Sequence, residues 1–268
     1  LCTKGGQDIK LAMEKIQACR NFTNKLWNFS RFVDMVLLDA ESPVDPMQVP
    51  VPQTEIDAWV LDRLNGAVTQ ITDQLNDYNF AAAAEECWEF IWNQCCDWYV
   101  EGIKSHKQQS LPVLVFVCFS ILRLLHPIMP FLTEAIWTRL MSHPGILPDH
   151  LSDTIQHAEW PVVSEPVDQS RLQTFDRVFT IIREVRHLIK VANASPKAGL
   201  SLHLSHADAS IQNELNMHVE FIKSLTKVSV CNVHESAISN VIFNIFMPLF
   251  SEILIFFMGK VFKFWIKF

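Results

Sequence analysis

Apolar residues recur every three to four positions through most of the first 142 residues, and alternate with polar ones only near residues 200 and 230. The first spacing predicts amphipathic helices, the second short strands. A first helix is expected over residues 9–38, ended by a stretch at 42–52 with prolines at 43, 46, 50 and 52. Thr54 reads as an N-cap with Asp57 as its capping-box partner, opening a second helix that reaches residue 77. A third helix, heavy in aromatics, covers 80–105. A fourth starts at Ser110 and Pro112 and carries Leu114, Phe116, Phe119, Leu122 and Leu125. Residues 126–130 break it, and a shorter helix resumes over 133–141. Long helices with short connections predict an up-down bundle over 9–142. Beyond a linker at 143–167, a helix at 168–191, a strand at 199–205, a helix at 208–227 and a strand at 228–233 predict a small α/β module spanning 168–235. The expected fold class is therefore mostly α: a helical bundle followed by a small α/β module.

One helix face stands out. Phe22, Leu26, Phe29 and Val33 fall on one side of the first helix, and Asn21, Lys25, Asn28 and Phe32 form a parallel stripe one residue earlier. No acid lies between Arg20 and Val33. Solvated helix faces are usually rich in Glu and Lys; this one offers Asn, Lys, Arg and an aromatic ring, which together can meet phosphates and unstacked bases. Lys25 and Arg31, with Arg20 at the head of the stretch, are the candidate phosphate or base-edge contacts, and Phe32 the candidate stacking ring. Asn21 and Asn28 suit either base edges or capping of neighbouring helices. Arg183, Arg186 and Lys190 sit beside the apolar stripe of Phe175, Val178, Ile182, Val185 and Ile189, placed for RNA backbone contact or for packing through salt bridges. The tryptophans Trp59, Trp88, Trp92, Trp98 and Trp137 are assigned to the core.

Composition narrows the chemistry. The net charge of −7 argues against a general nucleic-acid binder, but residues 10–34 carry five basic and two acidic side chains, and 168–190 carry five and three. Basic stripes on an acidic body suit one particular polyanion. The seven cysteines form no C-x-x-C pair, so they read as reduced thiols in a reducing compartment, with no zinc or disulfide role. No Gly-rich phosphate loop, H-E-x-x-H, G-x-S-x-G or dinucleotide fingerprint is present, and no catalytic or metal residue is assigned. Glu85, Glu86, Glu89 and Asp97 read as solvated or capping charges, and His126 as a helix-end residue bonding free carbonyls. The segment 236–268 departs from the rest: residues 241–268 hold eight of the 19 phenylalanines and no Asp, Arg, Gln or Thr. Pro248 and Glu252 count against a membrane span there, Glu252 at a cost of about 2.5–3.5 kcal/mol near a bilayer centre.

Several motifs occur together in order. Arg20-Asn21-Phe22-Thr23-Asn24-Lys25-Leu26-Trp27-Asn28, Phe90-Ile91-Trp92-Asn93-Gln94-Cys95-Cys96-Asp97-Trp98-Tyr99 and the run from Leu124 through His126-Pro127-Ile128-Met129-Pro130 to Glu134 resemble the anticodon-binding helical bundle of valyl-tRNA synthetases. Glu159-Trp160-Pro161, Arg183-Glu184-Val185-Arg186 and Ser195-Pro196 resemble the segments that follow it, and Gly6-Gln7-Asp8-Ile9 the junction leaving a catalytic domain, assigned to residues 1–8. Isoleucyl and leucyl relatives share the bundle, but Cys96-Asp97-Trp98-Tyr99 favours the valyl type. The resemblance covers about residues 5–235 and implies a part of a class I aminoacyl-tRNA synthetase that binds the anticodon stem and loop of a tRNA, the valine tRNA in this case. It implies no DNA partner, a monomer and a cytoplasmic setting, with mitochondrion or plastid as alternatives. The family's H-I-G-H-type and K-M-S-K-S-type motifs are absent, so ATP and magnesium are expected outside this chain, which should be inactive alone. Its C-terminal coiled coil is replaced by the Phe-rich tail. Rival expectations are a helical protein-interaction scaffold and a membrane-anchored protein.

Overall fold

The computed structural model describes residues 12–143, 147–148, 153–162, 169–191, 200–205, 208–234, 245–246 and 254–258. The junction assigned to 1–8, Cys2, Ser195, Pro196, Pro248 and Glu252 lie outside them. The chain divides into two units, Leu1–Gln169 and Ser170–Phe268.

The first unit is helical. α1 runs Met13–Leu38, α2 Glu55–Asn76 and α3 Phe80–Glu89. The chain continues without a turn into a π-helix at Phe90–Tyr99 and a short α4 at Val100–Ile103. α5 is Leu111–Leu125 and α6 Pro130–Leu140. α2 starts where expected: the Thr54 side chain accepts from the Asp57 N–H while the Asp57 carboxylate accepts from the Thr54 N–H, a complete capping box. α5 also starts as expected after Ser110, but the Ser110 hydroxyl does not cap it; it donates to Asp57 Oδ2 at 3.1 Å.

The π-helix was not expected, and the sequence contains its cause. Cys87, Ile91, Cys95 and Tyr99 are all buried at 0–2% exposure, in strict steps of four. At 3.6 residues per turn a four-residue step drifts about 40° round the helix, so an α-helix would swing Tyr99 out of the core. Bonding from i to i+5 widens the turn and counters that drift. The tryptophan assignments change as well. Trp59 and Trp137 are core at 3% and 1% exposure, but Trp92 and Trp98 are only part-buried and Trp88 is 40% exposed. Trp88 follows Cys87 by one residue, about 100° off the inward stripe. It leaves the inward face to Ala83, Ala84 and Cys87.

Residues 153–162 are strapped to the helices. Arg123, buried in α5, donates to the carbonyls of Phe119 and Glu159 at 3.1 Å each and to Ser120 Oγ at 3.0 Å. Burial lowers its pKa to about 10, with the Glu159 charge working the other way. Trp160 Nε1 donates to Thr72 Oγ1 of α2 at 2.9 Å, and the Ile155 N–H to Glu134 Oε2 of α6 at 3.3 Å. The Glu159-Trp160-Pro161 motif is thus a clasp on the bundle. His126 departs from expectation: its Nδ1 pairs with the Thr133 hydroxyl at 2.8 Å, because Thr133 on the next helix reaches the ring before any free carbonyl does.

The second unit is a small α/β module. α7 runs Gln169–Val191, β1 Ser201–Ser205, α8 Ala209–Met217, α9 Val219–Thr226 and β2 Val230–His234. β1 and β2 pair in parallel with Leu202 opposite Cys231, as a β-α-β unit requires. The single helix expected at 208–227 breaks at His218, whose buried ring packs on Phe175 of α7 with centroids 5.0 Å apart. Phe179 and Phe221 complete that aromatic contact. Within the Phe-rich tail, β3 (Ile245–Phe246) and β4 (Leu254–Met258) extend the sheet in the order β2-β1-β4-β3, with β4 antiparallel to β1. Among the described residues no helix is long and apolar enough to cross a membrane.

Candidate nucleic-acid interface

α1 buries Phe22, Leu26, Phe29 and Val33 at 0–4% exposure. Its outer side presents Arg20, Asn21, Asn24, Asn28 and Arg31 to solvent, with Phe32 and Lys25 part-buried at the edge. The Arg20 and Arg31 side chains make no hydrogen bond or ion pair among the described residues. Asn21 is exposed, and its Oδ1 accepts from Gln17 Nε2 at 2.9 Å.

α1 carries Glu14 in its first turn, and its other acid, Asp34, with Asp39 at its C-cap, is neutralised near its C-terminal end. Asp34 accepts from Arg139 at 2.6 Å and from His143 at 2.7 Å, and Asp39 pairs with Lys107 at 2.9 Å. Between Arg20 and Arg31 the helix carries no acid of its own, and the two exposed arginines that bound this stretch have no partner among the described residues, which suits a polyanion. Burial pushes the Asp34 pKa up, but hydrogen bonds from His143 and Arg139 outweigh it and hold the carboxyl below its ordinary 3.8. A depressed folded-state pKa gives stability that is present above the unfolded value and lost as pH falls through the folded one. Asp34→Asn should thus cost about 1 kcal/mol or less at neutral pH, and the gap from wild type should close as urea titrations move from pH 5 to below 3.8.

Lys25 is the candidate that structure treats differently. Its Nζ donates to Asp97 Oδ1 of the π-helix at 2.6 Å and sits 4.0 Å from the Trp92 ring centroid. Trp92 stacks on Trp88 with centroids 5.6 Å apart and planes 15° off parallel. Asp97, read from sequence as a solvated acid, is therefore the partner of the central cation of the stripe. The signal for it was the four-residue apolar step, which turns Asp97 toward α1.

Residues 57–204 match the family model for the anticodon-binding domain of tRNA ligase. The chain belongs to this family. Curated relatives are valine--tRNA ligases: that of Enterococcus faecalis is 32% identical over 87% of this chain and 26% of its own length. The Carboxydothermus hydrogenoformans protein is 35% identical over 83% and 25%, and the Bacillus subtilis protein 30% identical over 85% and 26%. The chain spans about a quarter of the length of the curated relatives it matches. A solved Agrobacterium radiobacter LeuRS–tRNA–LeuAMS complex aligns over 84% of this chain at 13% identity with a TM-score of 0.44.

The remaining candidates lie in the second unit. Arg183 is exposed on α7. Arg186 Nε donates to the Leu225 carbonyl at 2.9 Å, closing the end of α9, and Arg177 pairs with Glu214 of α8 at 3.0 Å. These contacts pin α7 within its own module. Four cysteines behave as core groups: Cys87, Cys95, Cys118 and Cys231 are buried and unbridged, while Cys19 is exposed and Cys96 half-buried, and burial raises the Cys87 thiol to about 12 and Cys231 to about 11. Such thiols are poor nucleophiles. Among the described residues no cluster of three His, Cys, Asp or Glu could hold a metal ion.

Proposed function

We propose that the chain binds the anticodon stem and loop of a tRNA through the outer face of α1, and that its specific partner is the valine tRNA. The observation that carries this is the stretch Arg20–Arg31: two arginines whose side chains have no partner among the described residues and three exposed asparagines, with no acid among them. Arginine forks suit phosphate oxygens, and asparagine amides suit the edges of bases that a loop leaves unstacked. The family match supports a tRNA as the polyanion, and the valine--tRNA ligase relatives support the valine tRNA over an isoleucine or leucine one. The parent activity is then ATP-dependent attachment of valine to tRNA in the cytoplasm. This chain supplies position rather than bond chemistry, and ATP and magnesium belong to another domain.

Equilibrium binding of valine tRNA to the full chain over a salt series tests this. Wild type should bind with log affinity falling linearly in log salt. Arg20→Ala with Arg31→Ala should weaken binding several-fold and flatten the slope by about 2, one unit per lost phosphate contact. An unchanged slope and affinity would place the RNA on another surface.

A further inference from the structure

We infer that Trp88 is a stacking platform for an unpaired base of that tRNA, with Asn21 beside it to meet the base edge, and that Lys25 positions this platform instead of binding phosphate. The inference rests on the tRNA-binding reading and names the residues that would distinguish base from backbone.

Trp88 keeps 40% of its surface exposed although the bundle around it is closely packed. Its stack on Trp92 fixes the ring plane, and Trp92 is itself fixed by the Lys25 ammonium at 4.0 Å. Lys25 is in turn tied to Asp97 at 2.6 Å. A phosphate at Lys25 would have to displace a carboxylate already in contact, and the charge is also engaged with an indole face. Arg20 and Arg31 carry no such commitment.

Level along the bundle follows from the pairings. Lys25 of α1 meets Trp92 and Asp97, and farther along both segments Gln108 Nε2 donates to the Val36 carbonyl at 3.1 Å and Lys107 pairs with Asp39. Later residues of α1 meet later residues of the other segment, so the two run in the same direction. Asn21 lies one turn before Lys25 and Trp88 one turn before Trp92, and both are exposed, so one turn back from the Lys25–Trp92 contact an amide and an indole lie on the same side of it along the bundle. A ring for a base face and an amide for its edge is the pairing that single-stranded RNA recognition uses.

The surrounding charge selects the occupant. Glu85, Glu86 and Glu89 flank Trp88 on α3. Glu89 accepts from Asn93, while burial, then the charges of Glu89 and Glu85, raise the Glu86 pKa. Such surroundings repel a phosphate but not the uncharged face of a base, whose backbone can run along the arginines of α1. The platform therefore contributes a salt-independent share of affinity, distinct from the arginines' salt-dependent one.

The test uses the full chain and valine tRNA, with dissociation constants measured at several salt concentrations. Trp88→Ala should lose roughly tenfold affinity at every salt concentration with an unchanged slope, and Trp88→Phe should recover most of it. Lys25→Met should weaken binding several-fold, again at constant slope, and Lys25→Arg should restore it. Trp88→Ala binding as wild type, or Lys25→Met flattening the slope by about 1, would overturn the inference while leaving tRNA binding intact. A wild-type chain that binds no tRNA would overturn the underlying reading as well.

Discussion

Asp57→Ala should destabilise the first unit by about 3–5 kcal/mol in urea unfolding. The carboxylate is 0% exposed. Its Oδ1 accepts from the Tyr99 hydroxyl at 2.9 Å, and its Oδ2 from the Thr54 N–H, the Thr54 hydroxyl and the Ser110 hydroxyl at 3.1, 2.7 and 3.1 Å. One side chain thus joins the start of α2, the end of the π-helix and the start of α5. Burial, then the Asp57 charge and hydrogen bond, push the Tyr99 phenol well above its ordinary pKa, so it remains a donor at any working pH. Alanine leaves those donors buried without an acceptor and removes half of the capping box. Asn should cost only about 1–2 kcal/mol: its carbonyl can serve the Thr54 N–H, which cannot be reversed, while the hydroxyls can turn to accept. A loss below 1 kcal/mol for Asp57→Ala would show that water or repacking replaces the carboxylate.

Trp137→Ala should cost about 3–5 kcal/mol and lower the urea midpoint without changing the dependence on denaturant. Trp137 is 1% exposed and meets the fully buried Phe119 edge-on, with centroids 4.8 Å apart and planes at 62°. Removing it opens a cavity between α5 and α6 and forfeits an aromatic pair. Trp88→Ala, by contrast, should move the midpoint little while weakening tRNA binding. Equal destabilisation by the two alanines would mean that Trp88 is a packing residue after all, as the sequence had suggested.

That contrast shows what the sequence could and could not tell. The start of α2 was legible because Thr54 and Asp57 state a capping box within four residues, and the inward face of α1 because Phe22, Leu26, Phe29 and Val33 keep helical spacing. The β-α-β order was legible from two alternating runs around a helical one. The π-helix is not legible from a 3.6-residue period, from which the four-residue step of Cys87, Ile91, Cys95 and Tyr99 departs. The isolation assigned to Asp97 goes with the 3.6-residue period, whereas the burial assigned to Trp88 fails on α-helical geometry alone, since Trp88 stands about 100° off the inward stripe of α3. The break at His218 was missed because no Gly or Pro marks it; packing on Phe175 does. On the candidate interface, sequence identified which α1 residues share a stripe. Only the neighbouring helix could show that Lys25 is occupied, while Arg20 and Arg31 have no partner among the described residues.

The most direct measurement of the central claim exchanges anticodon stem-loops between tRNAs. Valine tRNA, a non-cognate tRNA, and the two chimaeras with swapped anticodon stem-loops are titrated against the full chain at one fixed salt concentration. If α1 and its neighbours read this region, affinity follows the valine stem-loop into the foreign tRNA and leaves the valine tRNA that has lost it. Equal affinity for all four RNAs, or affinity that follows the acceptor half, would contradict it.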